Sequence, residues 1–501
     1  MTIRIASASV VTALAKAGLD EALLSPAGST RYDERVASYF SLTAQKRPFC
    51  FVHPKTTEDV ALILKTILAN PDARFAIRSG GHVMWGASNI DDGICIDLGV
   101  HMNNTTVDKE KGLVSIQPGA RWRQVYEYLG ASHPDIVVAG GRSAGVGVAG
   151  LLTGGGISWY IPRIGFCCDQ VVNAEVVLAD GRVINANADE NADLWRALKG
   201  ASGGNFGIVT RFDVRALPNE GLWAGMLLSE ATPQYSADHV AAMKRFTDDS
   251  ERFPDSSYIV LWNYEPSQFK DVIITTFLAN TKGVENPPEL KKLCDIPTIV
   301  KDLKQTNLHD FACSMDQPMG MYNFWHTTTF LNDERIMSKS VELHAAAVAK
   351  IQAVTKTGHF SSLCLFQSIP AHYARLGDER GGNVMGLENA LAGRGNAIML
   401  MLSINVGGDE PAEVRDIGYA AAREFYEGVE AFAREVDGFV DWTYLNYADR
   451  AQNPLRSLLD PEEVRRTALK YDPEGVFQTR APGGSRFRSI RRMVFGDRGN
   501  Q

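Results

Sequence analysis

The stretch GGRSAGVGVAGLLTGGG, residues 140–156, decides how the rest of the chain is read. Glycine lets a backbone approach a ligand closely and adopt positive φ, so that its N–H groups can face phosphate oxygens. Within the stretch, Gly145-x-Gly147-x-x-Gly150 matches the dinucleotide fingerprint, and Asp169 stands about where a ribose-binding acid is expected. That fingerprint requires a strand before it and a helix after it. Gly150 leads into Leu-Leu-Thr and three more glycines, which do not support a helix, so an NAD-binding reading is set aside. Two more glycine turns flank the stretch: Arg78-Ser79-Gly80-Gly81-His82, and Gly203-Gly204-Asn205-Phe206-Gly207. A single turn of this kind is ordinary. Three in one region predict a large phosphate-bearing cofactor wrapped by backbone. His82, ending a double-glycine turn, is a candidate functional imidazole as much as a structural one.

Outward from these turns the chain reads as short strands, glycine turns and a few helices. FVHP from Phe51 is a short strand, and Thr56-Thr57-Glu58-Asp59 opens an amphipathic helix through Val60, Leu64, Ile67 and Leu68. ICIDL (94–98), LVSIQPG (113–119), AEVVLADGRVI (174–184) and FGIVTRFDVRAL (206–217) read as further strands. After Pro218 the strand candidates lengthen and alternate: SYIVLWNYE (257–265), DVIITTFLA (271–279), YNFWHTTTF (322–330), SSLCLFQSI (361–369) and NAIMLMLSIN (396–405). Alternation predicts an antiparallel sheet with one covered face. Between the strands, Ile336 to Val354 and Val414 to Phe432 keep a 3.6-residue period, the first with Asn332 as its cap and Gly358 as its stop. The fold class is α+β.

Composition narrows the function. Of 501 residues, 45% are hydrophobic and 22% charged, and no run approaches a membrane-spanning length. Lys and Arg number 51 against 59 Asp and Glu, a net charge of −8, which argues against a nucleic-acid partner. The tail from Arg480 to Arg498 is locally basic and reads as a solvated arm. Seven cysteines show no metal-ligand spacing, so no metal is expected, and their sparse use suits a reducing, cytoplasmic compartment better than secretion. Residues 5–15 (IASASVVTALA) read as an N-terminal helix in preference to a signal peptide.

Six motifs then carry a resemblance. RSGGH with its following GAS (86–88), QPGARW (117–122), GVGVAGLLTGGG (145–156), DGRVI (180–184), GGNFGIV (203–209) and YLNYAD (444–449) occur in consistent order. On these residues the sequence resembles the berberine bridge enzyme-like flavoprotein oxidases of the vanillyl-alcohol oxidase superfamily. The resemblance implies a PCMH-type FAD-binding domain of two α/β subdomains. It also implies a substrate domain whose seven-stranded antiparallel sheet is backed by helices. In this chain the parts would be an N-terminal helical segment (1–45), the FAD-binding domain (46–218), the substrate-binding domain (219–440) and a C-terminal segment returning to the FAD side (441–501).

Carried over residue by residue, His82 matches the histidine that bonds the flavin 8α-methyl group covalently. Ser79, Gly80 and Gly81, with Ser88 nearby, match the loop that binds the pyrophosphate. Pro118 and Gly119 of QPGARW join the cofactor set. Gly145, Gly147, Val148, Gly150, Thr153 and Gly155 match a second cradle, Gly207, Ile208 and Val209 the strand beside the cofactor, and Asn446 and Tyr447 the pair closing the site. Many relatives have a second, cysteinyl bond to FAD; its position falls here on Ser143, which has no thiolate, so a single covalent bond is expected. Cys167 and Cys168 read as packing. Val146 aligns with a gate beside the flavin whose valine goes with oxygen access, favouring an oxidase over a dehydrogenase.

For catalysis, Tyr444 is the candidate base or substrate orienter, with His326 and Gln367 as further candidates on the strands of the second domain. No aligned acidic base is found. The resulting expectation is an oxidase with monocovalent FAD acting on a bulky alcohol-bearing small molecule, a secondary metabolite in preference to a sugar, and turning oxygen into hydrogen peroxide. The alternatives are a flavin dehydrogenase with another electron acceptor, an oligosaccharide oxidase, and a flavin-binding protein without turnover. A monomer or a dimer is expected.

Overall fold

The structure is a computed structural model and describes residues 2–487. Three of its four sheets, the other being the pair Ile136–Val137 and Leu217–Pro218, organise the described residues. A four-stranded sheet runs Leu24–Pro26, Cys50–Val52, Ile94–Asp97, Phe75–Arg78, its first pair antiparallel and the other two parallel. The helices Thr2–Lys16 and Thr57–Leu68 cover it, burying Val10, Leu14, Ile63 and Ile67. The second helix starts where the sequence places it. Thr56 Oγ1 accepts from Asp59 N while the Asp59 carboxylate accepts from Thr56 N, a reciprocal capping box. Next comes a five-stranded antiparallel sheet, ordered Thr105–Asp108, Leu113–Ile116, Ile208–Arg215, Val171–Val177, Val183–Asn187.

The third sheet has eight strands, all antiparallel: Val300–Gln305, Trp223–Glu230, Ile273–Asn280, Ser256–Tyr264, Phe360–Ile369, Ala397–Gly407, Met321–Leu331 and Phe439–Val440. The resemblance implied seven. Its five long alternating strands lie within two residues of the positions read from sequence. The helices Pro233–Asp249, Glu334–Gln352 and Ala412–Glu435 pack on one face through Val260, Trp262, Phe366, Leu402 and Ile404. The opposite face is covered as well, by the glycine-loop region. The strand Ala397–Gly407 is therefore buried at every position, and the expectation of one covered face is corrected.

Two local expectations also change. The cap of Glu334–Gln352 is Asp333, whose carboxylate accepts from Arg335 N, while Asn332 instead donates to Lys244 O and Asp248. A short helix does form within the glycine fingerprint: Val148–Thr153 starts from Gly147 and buries Val148 and Leu152. The strand before it, Ile136–Val137, has two residues and lies well short of the fingerprint. Asp169 is buried and accepts from Phe166 N and Asn383 Nδ2, a structural arrangement far from a ribose-binding one.

The chain ends by returning to its start. Phe477 packs edge-on against Phe75, and Arg480 donates to the carbonyls of Ile67, Leu68 and Ala73, closing the end of Thr57–Leu68. Arg480 is thus a cap and not part of a solvated arm; the basic residues beyond Phe487 lie outside the described residues. Among the described residues, no helix is long and apolar enough to cross a membrane and no acid, His or Cys cluster could hold a metal.

Candidate cofactor and substrate site

A cavity of about 650 Å³ runs between the glycine loops and the face of the large sheet turned away from its helices. Backbone proximity builds its first wall. Gly80 and Gly147 lie back to back, so that a Cβ on Gly80 would stand 2.5 Å from the Gly147 Cα. No residue larger than glycine fits there without moving backbone. Arg121 of QPGARW locks the two loops together, donating to Gly145 O (2.6 Å) and Gly80 O (2.5 Å). The backbone on either side of Arg121 brackets the same loop through Trp122 N to Val146 O and Val148 N to Ala120 O.

Of the residues expected to hold a cofactor, Ser79, Gly80, Gly81, His82 and Ser88 line this cavity, as do Ser143, Val146, Gly147, Gly150 and Thr153. Gly207, Ile208, Val209, Asn446 and Tyr447 line it too. The others do not. Pro118 instead accepts from Ser79 Oγ (2.6 Å), Gly119 and Gly145 face a second cavity of about 390 Å³, and Val148 is packed in the core. Gly155, at φ +107°, lies behind the wall against Met385.

His82 sits where the two cavities meet. Its ring stacks on Phe40, centroids 4.1 Å apart and planes 10° from parallel. Burial, aided by the nearby Arg121 charge, lowers its pKa to about 4, so the imidazole is neutral at physiological pH. Ser143 does not face empty space. Its hydroxyl donates to Asp316 Oδ1 (2.7 Å), which also accepts from Gly145 N, while Asp316 Oδ2 accepts from Arg123. Burial raises the Asp316 pKa, but these hydrogen bonds outweigh it and hold the carboxyl ionised.

The donors in the cavity suit a diphosphate-bearing flavin. Ser79, Gly80 and Gly81 line it in succession, the Ser88 hydroxyl is buried without a partner among the described residues, and Arg486, whose nearest partners are Ala481 O and Asn205 Oδ1, closes the end beside Gly203 and Gly204. Burial lowers the Arg486 pKa to about 10, which leaves it charged.

The catalytic candidates separate. Tyr444 reaches the cavity, but its hydroxyl accepts from Gly156 N (3.0 Å) and Asn446 Nδ2 (3.2 Å), and burial pushes its pKa well above the usual phenol value. It is an anchor for the glycine loop and a poor base. Gln367 is buried behind the wall, where Oε1 accepts from Arg142 Nη2 (2.7 Å). The same Nη2 donates to Tyr447 OH (2.9 Å). His326 lies on the other side of the sheet, against Tyr419 and Tyr426 of Ala412–Glu435, and lines no part of the cavity. Alternation fixes this: Asn323 and Trp325 face the cavity, so 322, 324, 326 and 328 face the helices.

Phe40, Arg142, Asp316, Trp325 and Arg486 were not anticipated. Trp325 lies on a strand read from alternation and Arg486 in the basic tail, but neither was singled out there. Arg142, inside the opening stretch, lay close to a signal.

A family model described as an FAD binding domain matches residues 48–187. The FAD-dependent monooxygenase sdcF of Emericella nidulans is 37% identical over 465 residues, 91% of this chain and 94% of its own length. Among solved structures, a glucooligosaccharide oxidase from Acremonium strictum superposes with a TM-score of 0.75 at 20% identity, covering 93% of this chain and 96% of that one. Berberine bridge enzyme from Eschscholzia californica gives 0.72 at 14% identity, covering 95% and 99%. At these identities the two structures speak for the fold alone.

Proposed function

The chain belongs to the berberine bridge enzyme-like FAD-linked oxidoreductases of the vanillyl-alcohol oxidase superfamily, and from that premise we propose an oxidase whose FAD is held by one 8α-histidyl bond to His82. The neutral imidazole at the junction of the glycine loops carries this reading, since attack on the flavin methyl needs an unprotonated ring nitrogen. With hydroxyl-bearing Ser143 tied to Asp316, no second bond is proposed. The substrate is a bulky alcohol-type small molecule, and the apolar sheet face (Ile259, Leu261, Leu365, Met401) supports a secondary metabolite over a sugar.

When bound, FAD would supply a hydride acceptor for the substrate and a route for the electron pair to oxygen, giving hydrogen peroxide. The chain's own groups then orient and exclude. Tyr444 and Asn446 hold the Gly154–Gly156 turn in place. Gln367 holds Arg142, and Arg142 holds the Tyr447 hydroxyl, whose proton remains free to meet a substrate oxygen. Tyr447 is the group proposed to orient the substrate, in place of Tyr444. Trp325, edge-on to both Phe40 and Tyr447, closes the site from the sheet side and keeps water out.

The test is acid precipitation of the purified protein followed by mass measurement. Yellow colour retained in the pellet, one FAD heavier and lost in His82→Ala, is expected. Colour released to the supernatant keeps the cofactor and ends the covalent reading. A second reading comes from the name of the relative sdcF, a monooxygenase. Turnover under ¹⁸O₂ separates them: an oxidase leaves the product unlabelled, and label in the product makes the protein a monooxygenase. Oxygen consumption during turnover likewise separates an oxidase from a dehydrogenase.

A further inference from the structure

Arg142 stands in the cavity wall, 9% exposed, and among the described residues it forms no ion pair. Both acceptors of its Nη2, Gln367 Oε1 and Tyr447 OH, are neutral. Nε and Nη1 meet no protein acceptor among the described residues, although a guanidinium carries five N–H donors and stays charged at every physiological pH. The carboxylates lining the cavity do not compensate it. Asp316 is engaged by Arg123 and Ser143, and Glu265 accepts from Ser267 toward the exposed rim. A buried cation with neutral partners is costly, and an anion that arrives with a ligand relieves that cost.

The surroundings give the rest of the ligand's shape. Trp159 lies 5.5 Å from the Arg142 guanidinium carbon, and Trp325, Leu363, Leu365 and Met401 form an apolar wall. Trp325 is 5% exposed, and its indole N–H has no partner among the described residues. An indole nitrogen can only donate, so the wall offers one cationic and one neutral donor and expects oxygens against both.

We propose that Arg142 is the subsite for an ionised oxygen, carboxylate or phenolate, on an aromatic substrate, with the Trp325 indole donating to a second oxygen of the same ligand. The inference rests on the oxidase reading of the cavity and names its substrate class. Calorimetric titration of the FAD-loaded protein tests it with 2-naphthoate, its neutral isostere 2-naphthamide, and 2-naphthol followed from pH 7 to 10. The anion is expected to bind about 10- to 100-fold tighter than the amide. That preference should vanish in Arg142→Gln and survive in Arg142→Lys. A naphthoate preference assigns the subsite to a carboxylate, and naphthol bound as its anion with a lowered apparent pKa assigns it to a phenolate. Equal binding of naphthoate and naphthamide with no uptake of the naphtholate overturns the proposal, as does no binding of any probe. So does an Arg142→Gln protein that keeps the anion preference while its flavin midpoint potential shifts, because Arg142 then serves the cofactor. The visible spectrum, recorded before ligand is added, shows separately whether the protein holds FAD.

Discussion

An unperturbed histidine is half protonated near pH 6.5. Inside this fold His82 is not, because desolvation first and the Arg121 charge second lower its pKa to about 4. The sign matters for the proposed histidyl bond. Only the neutral ring can attack, so covalent incorporation of FAD into apoprotein should keep its rate from pH 8 down to about 5 and decline as pH approaches 4. A rate already halved at pH 6.5 would mean an exposed, ordinary imidazole. The two tyrosines of the YLNYAD motif should also part company. Tyr447→Phe removes a hydroxyl that faces the cavity and is expected to lower kcat/KM by about 100-fold with FAD content unchanged. Tyr444→Phe strands Gly156 N and is expected to lower FAD content and thermal stability, which a pellet-absorbance assay and a melt will report. Ser79, Gly80, Gly81 and His82 could be picked out because a double-glycine turn is a local signal, and all four line the cavity. Arg142 was not legible: its meaning depends on Gln367 and Tyr447, which are distant in sequence and adjacent only once the sheet is folded.

Elements were read best where one periodicity ruled. The five long strands and the helix at Val414–Phe432 emerged because alternation and the 3.6 period are strong there. Trp223–Glu230 escaped, with Gly225 breaking its pattern, as did Val300–Gln305, an edge strand of Lys, Asp and Gln with little apolar content. Placing His326 failed on parity: a strand's face can be counted, but which face meets the cofactor is a tertiary fact. One element junction carries a stability prediction. Glu410, 5% exposed, comes just after Ala397–Gly407 and accepts from Thr355 Oγ1, Lys356 N and the N and Oγ1 of Thr357, tying that strand's end to the end of Glu334–Gln352. Burial raises its pKa, but these bonds outweigh burial and lower it to about 2. A carboxyl whose folded pKa lies below its unfolded value stabilises fully above about pH 4.5 and loses that contribution as pH falls through 2. Glu410→Gln should therefore cost roughly 1–3 kcal/mol at pH 7 and nearly nothing by pH 2. Denaturant melts at pH 7 and pH 3 check this; a difference that grows on acidification would contradict it.

At the scale of the whole molecule, one ligand site is assembled from distant parts of the chain. Phe40, the loop at Ser79–His82, the turn at Gly203–Gly204, the sheet residues Trp325 and Met401, Tyr447 and Arg486 all meet at or beside one cavity. Asp316 fastens the large-sheet half directly to the cofactor loop through Ser143 and Gly145. The resemblance implied a C-terminal segment returning to the FAD side, and the chain end does return through Arg480 to the first sheet; which side chains that return brings to the cavity was not read from the sequence. A ligand gripped by so many elements stabilises all of them together, by RT ln(1 + [FAD]/Kd) when binding is reversible. On the proposed histidyl linkage, His82→Ala makes it reversible. Its melting midpoint should climb with free FAD, gaining about 1.4 kcal/mol for each tenfold rise above Kd. The loaded wild-type protein should melt at a midpoint that ignores added FAD, because the proposed histidyl bond keeps its cofactor attached. Melts of both proteins across three decades of FAD, followed by circular dichroism, decide the matter. A wild-type midpoint that rises with FAD would mean an exchangeable cofactor, and a His82→Ala midpoint that does not would mean that FAD binds somewhere other than this cavity.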